Sequence, residues 1–136
     1  MYDYTSLETL ENMVYELSLD NINTIHDIYY KTNKKVDNHD LKKVCEQIDY
    51  NINKLNYIQE NLHEIRMDLS LSDNDTNSII DVILETRKYV KHIIDNLTDV
   101  IYKIKDNNIR NDINYDIEML TAIEDNLYDI ENMVDY

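Results

Sequence analysis

The sequence predicts an all-α protein, an elongated antiparallel (up-down-up-down) four-helix bundle that makes one domain of residues 1–136. Three observations carry this. Four apolar stripes at helical spacing run through the chain, polar stretches separate them, and Gly and Pro are both absent. Tight hairpins and irregular loops call on residues that take a positive φ or fix φ, and helices need neither. Four amphipathic segments of similar length with short connections favour sequential antiparallel packing. The same stripes also fit an extended helical hairpin or coiled coil that completes its core by dimerising.

The first helix is predicted near 5–31. Thr5-Ser6-Leu7-Glu8 reads as a capping box, in which a hydroxyl and an acid satisfy the first amides. Leu7, Leu10, Val14 and Leu17 start its stripe, which then changes phase to Ile22, Ile25 and Ile28. The change falls at Ser18 to Asn21, a place for a kink, and the segment is read as one helix.

The second helix, near 39–70, has the strongest pattern. Leu41, Ile48, Leu55, Leu62 and Leu69 lie seven apart, with Val44, Ile58 and Ile65 on a second seam three residues on. Asn51 stands where that second seam wants an apolar side chain, a substitution that costs stability and can fix register. Cys45 falls beside the seam and reads as a small buried thiol; as the lone cysteine it forms no internal disulfide.

The third helix is predicted near 76–105 from Ile83, Val90, Leu97 and Ile104, with Ile80, Ile94 and Ile101 alongside and Arg87 interrupting that second row. The fourth, near 111–134, rests on Ile113, Leu120, Leu127 and Val134, broadened by Ile117, Ile123 and Ile130. The breaks are Thr32 to His39, Ser70 to Thr76 and Asp106 to Asp112, where Asn and Asp cap helices and tolerate left-handed backbone.

Three stretches rhyme: Glu60 to Ile65 (ENLHEI), Asp95 to Val100 (DNLTDV) and Asp125 to Ile130 (DNLYDI). In each, the Leu and the Ile or Val three residues later fall on or beside a stripe while the acids flank them. The rhyme is therefore how this chain writes a helix, not a repeated ligand site.

Charge narrows the function. The net charge is −15, which disfavours direct binding to nucleic-acid phosphates or to an anionic membrane and favours a basic protein partner. The first thirty residues hold six acids and no Lys or Arg, and no apolar run exceeds three residues. The expectation is an intracellular, cytoplasmic protein without a signal peptide or membrane span. Ile, Asn, Asp, Leu and Tyr dominate, as in AT-rich coding sequence.

Catalytic chemistry has little to stand on. Without Gly there is no phosphate-cradling loop. Glu60-x-x-His63 has the spacing of a di-iron ligand pair, but no second Glu-x-x-His accompanies it and both residues point away from the Leu62 seam. No catalytic residue, metal site or cofactor is predicted. Tyr is the abundant aromatic, with twelve copies, and Tyr50 and Tyr57 share one outer face.

The charge pattern is more informative. Eight (i, i+4) pairs set acid against acid, among them Glu16/Asp20, Asp112/Asp116 and Asp125/Asp129, whereas five set opposite charges together. A helix chosen only for stability would reverse this, since each pair is worth about 0.2–0.5 kcal/mol. Residues 1–29 carry −6 and residues 106–136 carry −8. In an up-down bundle these segments adjoin and form an acidic face. Lys31, Lys34, Lys35, Lys42, Lys43, Lys103, Lys105 and Arg110 would gather at the far end.

The expected function is therefore non-enzymatic protein–protein interaction. An acidic face binds or inhibits a basic partner, in the manner of a viral or phage inhibitor, an immunity protein or an antitoxin. Carboxylates one helical turn apart, about 6 Å, approach the spacing of backbone phosphates, so nucleic-acid mimicry is one form of it. The expected partner-binding residues are Glu8, Glu11, Tyr15, Glu16, Asp125, Tyr128, Asp129, Glu131 and Asp135. The alternative is a self-assembling structural or adaptor coiled coil, and the 41–69 heptad leaves a homo-oligomer open.

Overall fold

The computed structural model describes residues 4–30, 38–69 and 76–134. Four helices account for nearly all of them: α1 (Tyr4–Tyr30), α2 (Asn38–Leu69), α3 (Thr76–Ile101) and α4 (Asn107–Val134). They are ~40 to ~48 Å long at ~1.5 Å per residue. Each helix packs on the next, and α1 also packs on α4, which closes a ring of four around one core. The core closes within one chain, so the dimerising hairpin is not needed to bury it.

Named pairs show that neighbours run antiparallel. Early α1 meets late α2 through Glu11 and Arg66. Early α2 meets late α3 through Gln47 and Asp99. The first half of α3 meets the second half of α4 through Arg87 and Glu131.

The heptad of α2 is the spine. Ile48, Leu55, Leu62 and Leu69 are buried, and so are Val44, Ile58 and Ile65. Full burial of such side chains contributes about 2 kcal/mol each, against the chain entropy lost on folding. Asn51 is also buried; its Oδ1 accepts a 3.0 Å hydrogen bond from Asn96 Nδ2 of α3. Slipping α2 against α3 by a turn would break that bond, so Asn51 fixes their register. In the three rhyming stretches Leu62, Leu97 and Leu127 are buried with Ile65, Val100 and Ile130, and the flanking acids are exposed.

Three expectations are corrected by the packing. The second row of α3 is not Ile80, Ile94 and Ile101, which are half-buried, but Ile79, Ile93 and Val100, with buried Thr86 completing it. Thr86 satisfies itself by donating to the Val82 carbonyl at 2.7 Å. Arg87 therefore does not interrupt the core; it lies on the flank toward α4. The α3–α4 turn also comes earlier than expected. Lys103 and Ile104 donate to the carbonyls of Val100 and Ile101, tightening the end of α3, and the Asp106 carboxylate then accepts from the Ile109 amide at 2.9 Å. That N-cap starts α4 at Asn107 rather than 111. Finally, Asp116, counted by its spacing as a surface acid, is only 1% exposed.

The first helix runs through Ser18–Asn21 without a break, and the expected change of phase is corrected: Ile28 is buried and Ile25 half-buried, but Ile22 is exposed and Asn21 and Thr24 face the core instead. The side chains of Thr5 and Ser6, Leu41, the segments 31–37 and 70–75, Lys31, Lys34, Lys35 and Asp135 lie outside the described residues. No described helix is long and apolar enough to cross a membrane.

Candidate functional site

Three of the four interhelical seams are held by groups of complementary chemistry. Between α1 and α2, Arg66 Nε donates to Glu11 at 2.7 Å, Arg66 Nη1 reaches Glu8 at 3.4 Å, and His63 Nδ1 lies 3.4 Å from Glu11. The bond to Glu11 raises the Arg66 guanidinium above its ordinary value. Between α3 and α4, Arg87 donates to Glu124 at 2.9 Å and to Glu131 at 2.7 Å, stacks 5.2 Å from the Tyr128 ring, and shares Glu124 with Lys91. Burial opposes the Arg87 charge, but the bonds to Glu131 and Glu124 outweigh it.

Between α2 and α3 the pairing is mixed. Asp99 accepts from Gln47 at 2.8 Å and from Lys103 at 3.0 Å, and these bonds hold it below the usual carboxylate range. Further along, the Lys54 ammonium sits 4.9–5.3 Å from the rings of Tyr50, Tyr57 and Tyr89. Tyr89 donates to Glu85, which raises its hydroxyl pKa. The outer face expected for Tyr50 and Tyr57 is thus a cation–π cluster centred on the protein's own lysine.

The fourth seam, α1 against α4, is different. Helix packing is sparsest there. A cavity of about 350 Å³ opens along it, lined by Asp20, Asp27 and Asp112 together with Asn23, Thr24, His26 and Tyr115, and no Lys or Arg among the described residues lines it. Asp116 lies one turn from Asp112 and faces Asp20 across the seam. Neither of its buried carboxyl oxygens meets a donor. Burial, reinforced by the Asp20 carboxylate and then by Asp112, pushes Asp116 up to about 8. A protonated Asp116 is placed to donate to Asp20 across the seam.

The division of charge follows the seams. Helix α1 has five acids and no Lys or Arg, and α4 has seven acids and one Arg. Helices α2 and α3 hold ten acids against seven Lys and Arg. The α1–α4 side thus carries −11, and the α2–α3 side −3.

Of the nine residues expected to bind a partner, Asp135 lies outside the described residues and the other eight do not form one surface. Glu8 and Glu11 turn toward α2 and engage Arg66, and Tyr15 is exposed. Tyr128 and Glu131 turn toward α3 and engage Arg87. Glu16, Asp125 and Asp129 are exposed. Sequence reasoning missed the cleft acids Asp20, Asp27 and Asp112 and the buried Asp116. The signal for Asp116 was there: it lies three residues after Ile113 and four before Leu120, on the core side of α4.

Glu60 and His63 are both exposed beside Glu11, and His63 is in contact with Arg66 Nη2 at 3.1 Å. Among the described residues no group of three or more His, Cys, Asp or Glu side chains is placed to hold a metal ion. Cys45 is buried.

No protein-family model matches the chain, and neither a curated protein nor a solved structure matches it.

Proposed function

We propose that this is a non-catalytic binding protein whose α1–α4 side captures a basic protein surface, with a Lys or Arg of the partner entering the cleft between Asp20, Asp27 and Asp112. The observation that carries the reading is the contrast among the four seams. Arginine or lysine helps to hold three of them, and the fourth, lined by no described Lys or Arg, sets Asp20 against Asp116 beside an open cleft. A cation in that cleft would offset the Asp20 and Asp112 charges that, after burial, raise the Asp116 pKa. Exposed Glu16, Asp125 and Asp129 extend the negative field that would steer such a partner in. Carboxylate rows one turn apart favour inhibition of a nucleic-acid-binding protein as the form this activity takes.

A comparison at constant net charge tests this. The cleft variant Asp20→Asn/Asp27→Asn/Asp112→Asn is set against Glu46→Gln/Asp49→Asn/Glu64→Gln on the exposed face of α2, with a fluorescent lysine- and arginine-rich peptide as probe at two salt concentrations. The cleft variant is expected to bind at least tenfold more weakly than the control. Equal losses would mean that the acids act only as a diffuse solubilising charge, and the reading would fail.

A further inference from the structure

Residues 18–24 of α1 are patterned inside out. Leu7, Leu10, Val14 and Leu17 are buried, but the positions that continue inward are Ser18, Asn21 and Thr24, all buried. Asn21 and Thr24 bond back to their own helix, to the carbonyls of Leu17 and Asp20 at 2.8 and 2.9 Å, and Ser18 Oγ has no partner. None of these bonds reaches another helix. Meanwhile Tyr15, Leu19 and Ile22 are 54, 44 and 49% exposed. Their spacing, i, i+4 and i+7, makes one row on the outer face of α1. A bundle chosen for its own stability would put apolar side chains at 18, 21 and 24 and polar ones at 19 and 22.

A second row runs beside the first, each residue one position on and therefore about 100° round the helix. It holds Glu16, Asp20 and, a turn past Asn23, Asp27. Helix α1 thus carries an apolar row on its outer face and, on the flank toward α4, an acidic row in which Glu16 is exposed and Asp20 and Asp27 are half-buried, over about three turns.

We propose that α1 is the docking surface for an amphipathic helix of the partner, whose apolar side chains seat on Tyr15, Leu19 and Ile22 and whose Lys or Arg row meets Glu16, Asp20 and Asp27. This rests on the acidic-binder reading and gives the partner a shape. Charge complementarity decides the occupant. A second copy would set one α1, with five acids and no Lys or Arg, against another. Three exposed side chains offer far less than the area of a standard stable interface, so the occupant must bring electrostatic attraction with it. Helix-in-groove recognition uses anchors at this spacing.

The test uses two labelled 18-residue peptides of identical Leu/Lys composition, one with Leu at helical spacing and one scrambled. Both are titrated by fluorescence anisotropy into the full chain, into Leu19→Gln/Ile22→Gln and into the cleft variant above. The helical peptide is expected to bind at least tenfold more tightly than the scrambled one and to gain helical circular dichroism. Leu19→Gln/Ile22→Gln is expected to abolish that preference and leave scrambled-peptide binding and the melting temperature unchanged. Equal binding of the two peptides, with loss only in the cleft variant, overturns helix docking and leaves the acidic reading standing. No binding of either peptide overturns both. A wild-type dimer in sedimentation equilibrium that Leu19→Gln/Ile22→Gln converts to monomer makes a second copy the occupant and overturns the proposal.

Discussion

Asp116 makes the most quantitative demand on this structure. Its carboxyl is buried without a donor, beside Asp20 from α1 and one turn from Asp112 of its own helix, and its pKa is raised from 3.8 to about 8. In the unfolded chain it ionises at its ordinary value. Between those two values the folded protein binds a proton that the unfolded protein has released. Stability contributed by this group therefore falls as pH rises from about 4, and levels off above about 8. One unit is worth about 1.4 kcal/mol, so at pH 7 the group destabilises the fold by about 4 kcal/mol relative to an unperturbed carboxylate.

Asp116→Asn removes the titration, and its amide can donate to Asp20 in place of the carboxylic acid's proton. Urea unfolding followed by circular dichroism at pH 4.5, 6, 7 and 8.5 measures the effect. The two proteins should differ by about 1 kcal/mol or less at pH 4.5. The variant should gain steadily with pH, approaching about 4 kcal/mol of added stability at pH 7, less the cost of the amide's imperfect fit. General self-repulsion of the acidic chain changes with pH too, but it is common to both proteins and cancels in the difference. A gap independent of pH, or a variant less stable throughout, would refute the picture of a protonated acid in the α1–α4 seam.

Other parts of the fold make simpler demands. Arg87→Met removes two bonds from α4 and leaves half-buried Glu131 without its arginine, so thermal unfolding should show a loss of about 2 kcal/mol. The matching Arg66→Met change at the more exposed α1–α2 seam should lower the melting temperature by less than Arg87→Met does. A double-mutant cycle on Asn51→Ala and Asn96→Ala should give a coupling of about 1 kcal/mol in chemical denaturation, and zero coupling would mean the bond does not hold register. Asp106→Ala removes the N-cap of α4 and should cost about 1 kcal/mol, with faster amide exchange at Ile109 as the local readout.

Helix number, order and the spine of α2 were legible because heptad periodicity is a one-dimensional signal. A residue seven positions on faces the same way whatever it packs against. The second row of α3 was misread for a reason equally physical. Ile80, Ile94 and Ile101 and the true row of Ile79, Ile93 and Val100 straddle the same first seam, and only the position of a third helix decides which flank is deeper. The earlier start of α4 depends on a single side-chain-to-amide bond at Asp106, which composition does not reveal. For the candidate site, the concentration of acid in the terminal helices was legible by counting. Which acids face one another was not, because that requires the rotation of each helix about its axis. Glu11 and Glu131 thus proved to hold seams, while Asp20, Asp27 and Asp112 proved to line the cleft.

Once the acids are sorted by neighbour, the charge of this protein separates into two populations with opposite effects. Glu11, Glu124 and Glu131 are half-buried, bonded to arginine on the adjacent helix, and stabilise the bundle. Asp20, Asp112 and Asp116 face one another and destabilise it. The chain has the means to close the fourth seam as it closed the other three: one Arg or Lys on the inner flank of α1 would suffice. Instead α1 carries no Lys or Arg, and it places Asn21 and Thr24 inward and Leu19 and Ile22 outward over the same two turns. Two independent departures from stability, one electrostatic and one apolar, thus coincide on the second half of one helix. A solubilising charge would account for the first but not for exposed Leu19 and Ile22, which lower solubility. A partner that supplies both cations and apolar side chains accounts for the two together.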